Sequence, residues 1–222
     1  MDSLPKLLDG LSMTCLLTIV SLVAGFILGI SLSLGRVYGN KLVSTICIGY
    51  IEIFRGTPLL VQLFIIYFGL PTVGVTLSPL YSALLGLSLN SGAYQAEYLR
   101  GSIQAIPSGQ MTAARTLGMT KLKAIKNVVL PQALRISIPA WSNELIYLFK
   151  YTSIASIIQV SELTKEGELI ASRNFRYIEI FLIIALIYII FTFVFTEIID
   201  KLAKKMSIPG IGVQESARRG IA

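Results

Sequence analysis

The sequence predicts an all-α integral membrane protein with about five transmembrane helices and a short helical elbow between the third and fourth. Three observations carry this expectation. Residues 10–35, 71–96 and 180–196 contain no charged side chain. Only 14% of the 222 residues are charged, against about 25% in an ordinary soluble domain. A basic stretch punctuated by Gly and Pro, TAARTLGMTKLKAIKNVVLPQ at 112–132, interrupts the apolar pattern. A helix needs about 20 apolar residues to cross a bilayer, and each uncharged run supplies most of a span.

The five spans are expected at about 11–34, 42–68, 80–99, 128–149 and 177–199, in one transmembrane domain covering 1–222. The first run is too long for the core of a cleaved signal and its N-terminal flank is acidic, so it is expected to be retained. Within it, Ser21, Gly25, Gly29 and Ser33 recur every fourth residue. Such a stripe of small residues lets another helix approach closely, within the chain or in a second copy. Residues 69–79, GLPTVGVTLSP, form a turn-rich loop. The mixed segment 150–176 contains TSIASIIQV, which has the character of a short helix dipping toward the membrane.

The net charge is +7. In a membrane chain this reports orientation, not a nucleic-acid partner, because Lys and Arg collect in cytoplasmic loops. With the N-terminus outside and the C-terminus inside, the inner segments hold Arg36 and Lys41, then Arg100, Arg115, Lys121, Lys123 and Lys126, then Lys201, Lys204, Lys205, Arg218 and Arg219. The outer segments hold fewer, Lys6, Lys165, Arg173 and Arg176, with Lys150 at the end of span four close to the outer surface. The basic elbow is therefore expected on the cytoplasmic side. There is no His, and Cys15 and Cys47 lie in separate apolar segments without metal-ligand spacing.

The elbow has its own local logic. Ser108 is placed to cap a helix over about 109–118, and Gly118 suits the left-handed position that ends one. Thr120 is placed to cap a second helix leading into span four, which Pro131 would kink or restart. Ala113 and Ala114 present small side chains to an approaching partner.

Residues 109–132, GQMTAARTLGMTKLKAIKNVVLPQ, resemble the cytoplasmic signature of ABC importer permeases. Ala113, Ala114, Gly118, Leu130 and Pro131 match it, and Thr112 stands where the family usually has Glu. YIEIFRGTPLLVQLFIIYFGLP at 50–71, LNSGAYQAEYLRGSIQAIPSGQ at 89–110, NELIYLFKYTSIASII at 143–158 and SELTKEGELI at 161–170 are similar to permeases for polar amino acids. Tyr151 departs from an Asp common in that group. The resemblance implies a coupling helix at the elbow, in which Thr112, Ala113, Ala114, Gly118, Leu130 and Pro131 serve a cleft on a cytoplasmic ATPase dimer. It also implies a second permease chain, identical or homologous, an extracellular or periplasmic amino-acid-binding protein, and the cytoplasmic membrane of a prokaryote. No G-x-x-x-x-G-K-[ST] loop occurs. ATP and Mg are therefore expected on the partner ATPase, with no cofactor or metal on this chain.

Polar residues inside a span are costly in lipid and mark a pathway or a partner. At about 1.5 Å per residue, Glu52 and Arg55 fall near the middle of span two, and Asn90 and Ser91 near the middle of span three. Glu144 lies about 24 Å along span four by the same rise. With Gln62 they form the expected substrate-binding set. Arg55 would take a carboxylate in a two-pronged contact, Glu52 or Glu144 an ammonium, and Gln62, Asn90 and Ser91 neutral polar groups. Self-neutralising helical pairs are the structural alternative for Glu52 with Arg55 and for Glu97 with Arg100. A proton-coupled secondary transporter using Glu52, Glu97 or Glu144 is the alternative function. A membrane enzyme finds no triad, metal cluster or nucleotide motif to support it.

Overall fold

The computed structural model describes residues 3–206, so Arg218 and Arg219 of the orientation argument lie outside it. The described residues are helical, with turns between, and contain no strand. The elements are α1 (Ser3–Tyr38), α2 (Lys41–Gly56), α3 (Leu59–Phe64), α4 (Pro79–Gln104), α5 (Ser108–Thr116), α6 (Lys121–Ala124), α7 (Leu130–Tyr151), α8 (Leu163–Asn174) and α9 (Tyr177–Met206). Leu4–Tyr38 and Tyr177–Ile199 are each long and apolar enough to cross a membrane, and α2 with the helical segment after it qualifies only as a bent pair.

Span two, expected over 42–68 with Gly56 loosening the helix and Pro58 freeing a backbone carbonyl in it, is a broken rod and not a simple kink. The chain bends by 104° between Lys41–Gly56 and Leu59–Val73. The cause is Pro58, whose ring pushes the residue before it out of the helical region. Thr57 sits at φ −115°, ψ 144°, in extended conformation. Two later prolines are handled differently. Wide π turns at Ile65–Gly69 and Ile125–Val129 end just before Leu70-Pro71 and Leu130-Pro131. A proline lacks the N–H for the i−4 carbonyl and its ring clashes there. The extra residue in the turn relieves that clash, so that a 3-10 turn follows at Pro71 and the long helix α7 at Pro131.

α1 lies against α4 along the small-residue stripe, which settles its partner as intramolecular. A Cβ at Gly25 would stand 2.8 Å from Gln95 Nε2 and 3.1 Å from the Gly92 nitrogen. One at Gly29 would stand 2.9 Å from Gln95 Cβ and 3.1 Å from the Ala96 nitrogen. The backbones touch because neither glycine has a side chain. Leu17, Leu63, Leu87, Leu148, Ala155 and Ile158 then fill the central core. Phe149 ties α7 to α9 through Tyr188, Phe191 and Phe195.

The segment between α7 and α9 is more ordered than its mixed composition suggests. A 3-10 helix, Thr152–Ile158, buries Thr152, Ala155 and Ile158 and ends on Gln159 at φ 67°. Glu162, fully buried, caps α8 by accepting from the Lys165 N–H at 2.8 Å and the Thr164 N–H at 3.0 Å. The Tyr188 hydroxyl donates to the same carboxylate at 3.1 Å, and Thr14 Oγ1 accepts from the Leu163 N–H at 3.2 Å. One buried carboxylate thus pins α8 to α9, beside a hydroxyl that pins it to α1.

Two outcomes are expected from this packing. Gly29→Val should destabilise the protein by about 1–3 kcal/mol through overpacking against α4, read as a lowered melting temperature in detergent. Burial pushes the Glu162 carboxyl up to about 7. The folded state then keeps a proton that the unfolded chain has already released. Stability should fall as pH rises from the ordinary carboxylate range through about 7. Glu162→Gln should flatten that slope in melts recorded across pH 5 to 8.

Candidate substrate path and cytoplasmic elbow

The intramembrane polar residues separate into three linked groups. At the first, Glu144 on α7 is only 5% exposed and accepts from Ser91 Oγ at 2.6 Å. The Tyr98 phenol lies beside the same carboxylate. Ser91, Tyr94 and Tyr98 fall three and four residues apart, so all three belong to one face of α4. Gln95 donates to Ser91 Oγ at 2.9 Å and to the Leu22 carbonyl at 3.1 Å, and accepts from Trp141 Nε1. This network joins α1, α4 and α7. Its carboxylate is held by neutral donors alone among the described contacts, which suits it to a cationic group.

The second group surrounds the break after α2. Gln62 Nε2 reaches the Phe54 carbonyl at 2.8 Å, the Thr57 carbonyl at 3.0 Å and Thr57 Oγ1 at 2.8 Å. Asn90 Nδ2 reaches the Phe54 carbonyl at 3.1 Å and Gln62 Oε1 at 3.0 Å. A broken helix leaves carbonyls without intrahelical partners, and these two amides supply them. Their donors are committed to the backbone, so the geometry gives them a role in holding the break beside the path.

The third group corrects two expectations. Arg55 lies near Glu97, with Nη1 4.0 Å from Oε2, and its guanidinium sits over the Tyr94 ring at 5.4 Å from the centroid. Arg36 of α1 donates to Glu97 Oε2 at 2.8 Å, and Arg100 donates through Nε to Oε1 at 2.8 Å. Glu97 and Arg100 are therefore not a closed pair. They belong to a cluster of three guanidiniums around one carboxylate. Arg55 is also not level with Ser91. Tyr50 bonds the Leu89 carbonyl while Arg55 meets Glu97, so rise along α2 does not convert into depth. Glu97 stands seven residues before the end of α4, about 10 Å from the elbow end. Glu52 is exposed, with no hydrogen bond or ion pair among the described contacts, and does not pair with Arg55.

The elbow is built nearly as its residues dictate. Pro107, not Ser108, precedes the first helical residue, and α5 runs Ser108–Thr116 with no side-chain cap. The shift of one residue has a simple cause: Pro at φ −56° already presents the chain for a helix without a hydroxyl. Thr112 is exposed, and its hydroxyl bonds back to the Ser108 carbonyl at 3.3 Å. Gly118 adopts φ 83°, and its N–H and that of Met119 donate to the Arg115 and Ala114 carbonyls at 3.0 and 3.1 Å. Thr120 caps α6 as expected, accepting from the Lys123 N–H at 3.3 Å. Ala114 is buried against the body while Ala113 faces out. Leu117 and Leu122 stand 81% and 78% exposed on the tip. Leu130 and Pro131 start α7 behind it. Lys121 Nζ donates to the Tyr38 carbonyl at 3.0 Å, fixing the elbow to the end of α1.

Sequence reasoning missed Gln95, Trp141 and the hub role of Glu97. Gln95 was detectable in principle, because it stands four residues after Ser91 in an uncharged run. The reach of Arg36 and Arg55 to Glu97 depends on how three helices cross, which no local pattern records.

Gln62→Leu should expose the cost of orphaned carbonyls at the break. A loss of about 1–3 kcal/mol is expected, with insertion into membranes retained. The checks are a thermal melt and a fractionation blot.

The whole-chain comparisons agree with this architecture. L-cystine transport system permease protein TcyB of Bacillus subtilis (strain 168) is 44% identical over 85% of this chain and 81% of its own length. Glutamine transport system permease protein GlnP of Escherichia coli (strain K12) is 35% identical over 93% of this chain and 95% of its own. A solved structure described as an amino acid ABC transporter with histidines superposes with a TM-score of 0.84 at 38% identity, covering 90% of this chain and 94% of that one. Residues 8–208 match the model for binding-protein-dependent transport system inner membrane components, and the chain belongs to that family.

Proposed function

We propose that this chain is the permease subunit of an ATP-driven importer for polar amino acids. The observation that carries the proposal is the elbow: a short rigid helix, capped by left-handed Gly118, that displays Ala113, Leu117 and Leu122 to solvent. An apolar tip on an otherwise basic segment is a surface made to be covered. The occupant of this reading is a cytoplasmic ATPase dimer, which holds ATP and Mg. A second permease chain and an external amino-acid-binding protein complete the assembly in the cell membrane.

Five spans, with the N-terminus outside and the C-terminus inside, accommodate the fold. The Lys121 contact with the Tyr38 carbonyl places the α1–α2 turn and the elbow at one end of the molecule. That is the end where the sequence concentrates its basic residues. The amino-acid class is supported by the names of the relatives and by the chemistry of the path. Glu144 offers a carboxylate beside Ser91 and Tyr98, and Arg55 a cation over Tyr94 on the same face of α4. A zwitterion presents the complementary pair. Nucleotide-driven movement of the docked elbows would rock α4 and α7, the helices on either side of α5 and α6, between outward and inward openings. The substrate biases that equilibrium only through unequal affinity for the two states.

Reconstitution with its ATPase, second permease and binding protein tests the proposal. Amino-acid uptake into proteoliposomes should require ATP and every subunit. Uphill uptake by this chain alone under a proton gradient would overturn it in favour of a secondary transporter. Gly118→Val forces a branched side chain into φ 83°. Its strain, about 1–2 kcal/mol, falls on the elbow alone, since nothing lies within 4 Å of the added Cβ. Inserted protein of normal abundance with uptake reduced by about tenfold or more is expected; full uptake would count against coupling through this element.

A further inference from the structure

We propose that Glu97 is the protein's own stand-in for a transported carboxylate. It keeps the cluster of Arg36, Arg55 and Arg100 assembled in the empty path, and the α-carboxylate of the passing amino acid takes its place at Arg55. The inference rests on the amino-acid reading above and adds to it a second station and an internal competitor.

The charge count comes first. One carboxylate faces three guanidiniums drawn from α1, α2 and α4, with side chains 19% to 36% exposed. Two positive charges remain in excess toward the elbow end of the path, where they draw in an anion. The geometry says which cation is available. Both Glu97 oxygens are already engaged, one by Arg36 at 2.8 Å and the other by Arg100 through Nε at 2.8 Å. Arg55, at 4.0 Å, is attracted but makes no direct hydrogen bond to Glu97. It is the most exposed of the three, and the Tyr94 ring beneath it fixes the guanidinium without using its in-plane donors. A planar fork whose N–H groups have no hydrogen-bond partner among the described residues, held on an aromatic face, is suited to a carboxylate approaching edge-on.

Placement supplies the direction. Along α4 the Glu144-bound Ser91 comes first, then Tyr94 with Arg55, then Glu97, and then the elbow end. Six residues, about 9 Å of rise, separate Ser91 from Glu97. A solute leaving the Glu144 network toward the elbow thus meets Arg55 before it meets Glu97. The Arg55 station ties α2 to α4 at the foot of the α2–α3 break, so exchanging Glu97 for a mobile carboxylate loosens that tie. Release of the solute restores it, because Glu97 is covalently tethered and always present. Glu97 acts through Arg55 and is a positioning residue.

The test uses the purified permease–ATPase complex in nanodiscs without binding protein. The probes are radiolabelled L-glutamine and L-arginine, each beside its α-carboxamide. Glu97→Gln should bind the free amino acid roughly two- to fivefold more tightly, the scale of a partly exposed ion pair. The carboxamide should show no gain, and neither should the free acid when Arg55→Gln is added. In a Cys15→Ser, Cys47→Ser background, with Arg55 intact, the amino acid should protect Gly56→Cys, where nothing lies within 4 Å of the added Cβ, from a charged thiol reagent and the carboxamide should not. That second arm holds even if Glu97→Gln fails to fold. Unchanged affinity in Glu97→Gln, or an equal gain for the carboxamide, overturns the proposal while leaving the importer reading intact. So does protection that requires phosphatidylglycerol in the nanodisc and ignores the amino acid, which would make the surplus charge a lipid site. If the wild-type complex binds no amino acid and the full assembly imports none, the transport reading falls and this inference with it.

Discussion

Close backbone contact between α1 and α4 is the constraint on which the rest of the structure depends. In a bilayer, two helices gain nothing from expelling water between them, so they associate through packing and hydrogen bonds. Gly25 and Gly29 remove every atom that would hold α4 away. That approach lets Gln95 reach the Leu22 carbonyl on α1 while it supports Ser91 and Trp141. The polar network around Glu144 is thus anchored on this close contact. The small stripe and the buried polar site are one arrangement: without close packing, the hydrogen bonds that satisfy Gln95 do not span the gap.

Proline sets the shape of the remainder. At Pro58 the helix is abandoned and resumed at a steep angle, and the loose carbonyls are gathered by Gln62 and Asn90. Before Pro71 and Pro131 the helix widens by a residue, then closes in one 3-10 turn at the first and continues as α7 at the second. The surroundings of each proline account for the difference. Pro58 opens onto a site where displaced backbone lines a polar face, a position where irregular structure is tolerated at membrane depth. Pro131 sits where α6 feeds through the π turn into α7, so the helix runs on from the elbow toward Glu144.

Charge is distributed in the same economical way. The deep carboxylate, Glu144, is satisfied by hydroxyl donors, whereas the shallower one, Glu97, is surrounded by arginines. A third carboxylate, Glu162, does neither and serves as a cap that fastens α8 to its neighbours. Three acids in one small protein thus have three separate tasks, each set by the donors the fold brings to them.

Much was legible from the residues alone. Uncharged runs, the lysine-rich elbow, Gly118 at a helix end and Thr120 at a helix start are signals local to the chain. Local geometry enforced the last two: a left-handed turn favours Gly, and a hydroxyl before a helix accepts from its first free N–H groups. The resemblance of 109–132 to the importer signature was likewise a matter of order along the chain, and the family match over 8–208 agrees with it. Depth and partnership were not legible. Converting rise along span two into depth put Arg55 at the level of Ser91, and treating Glu97 with Arg100 as a neighbouring pair hid the reach of Arg36 from another helix. The amides of Gln62 and Asn90 looked free until the broken backbone that consumes them was in view. The sequence by itself determined which segments are helical and where the elbow turns, because spacing and turn chemistry act over a few residues. Only the tertiary structure decided which charges meet, because a guanidinium's partner depends on the angle at which whole helices cross.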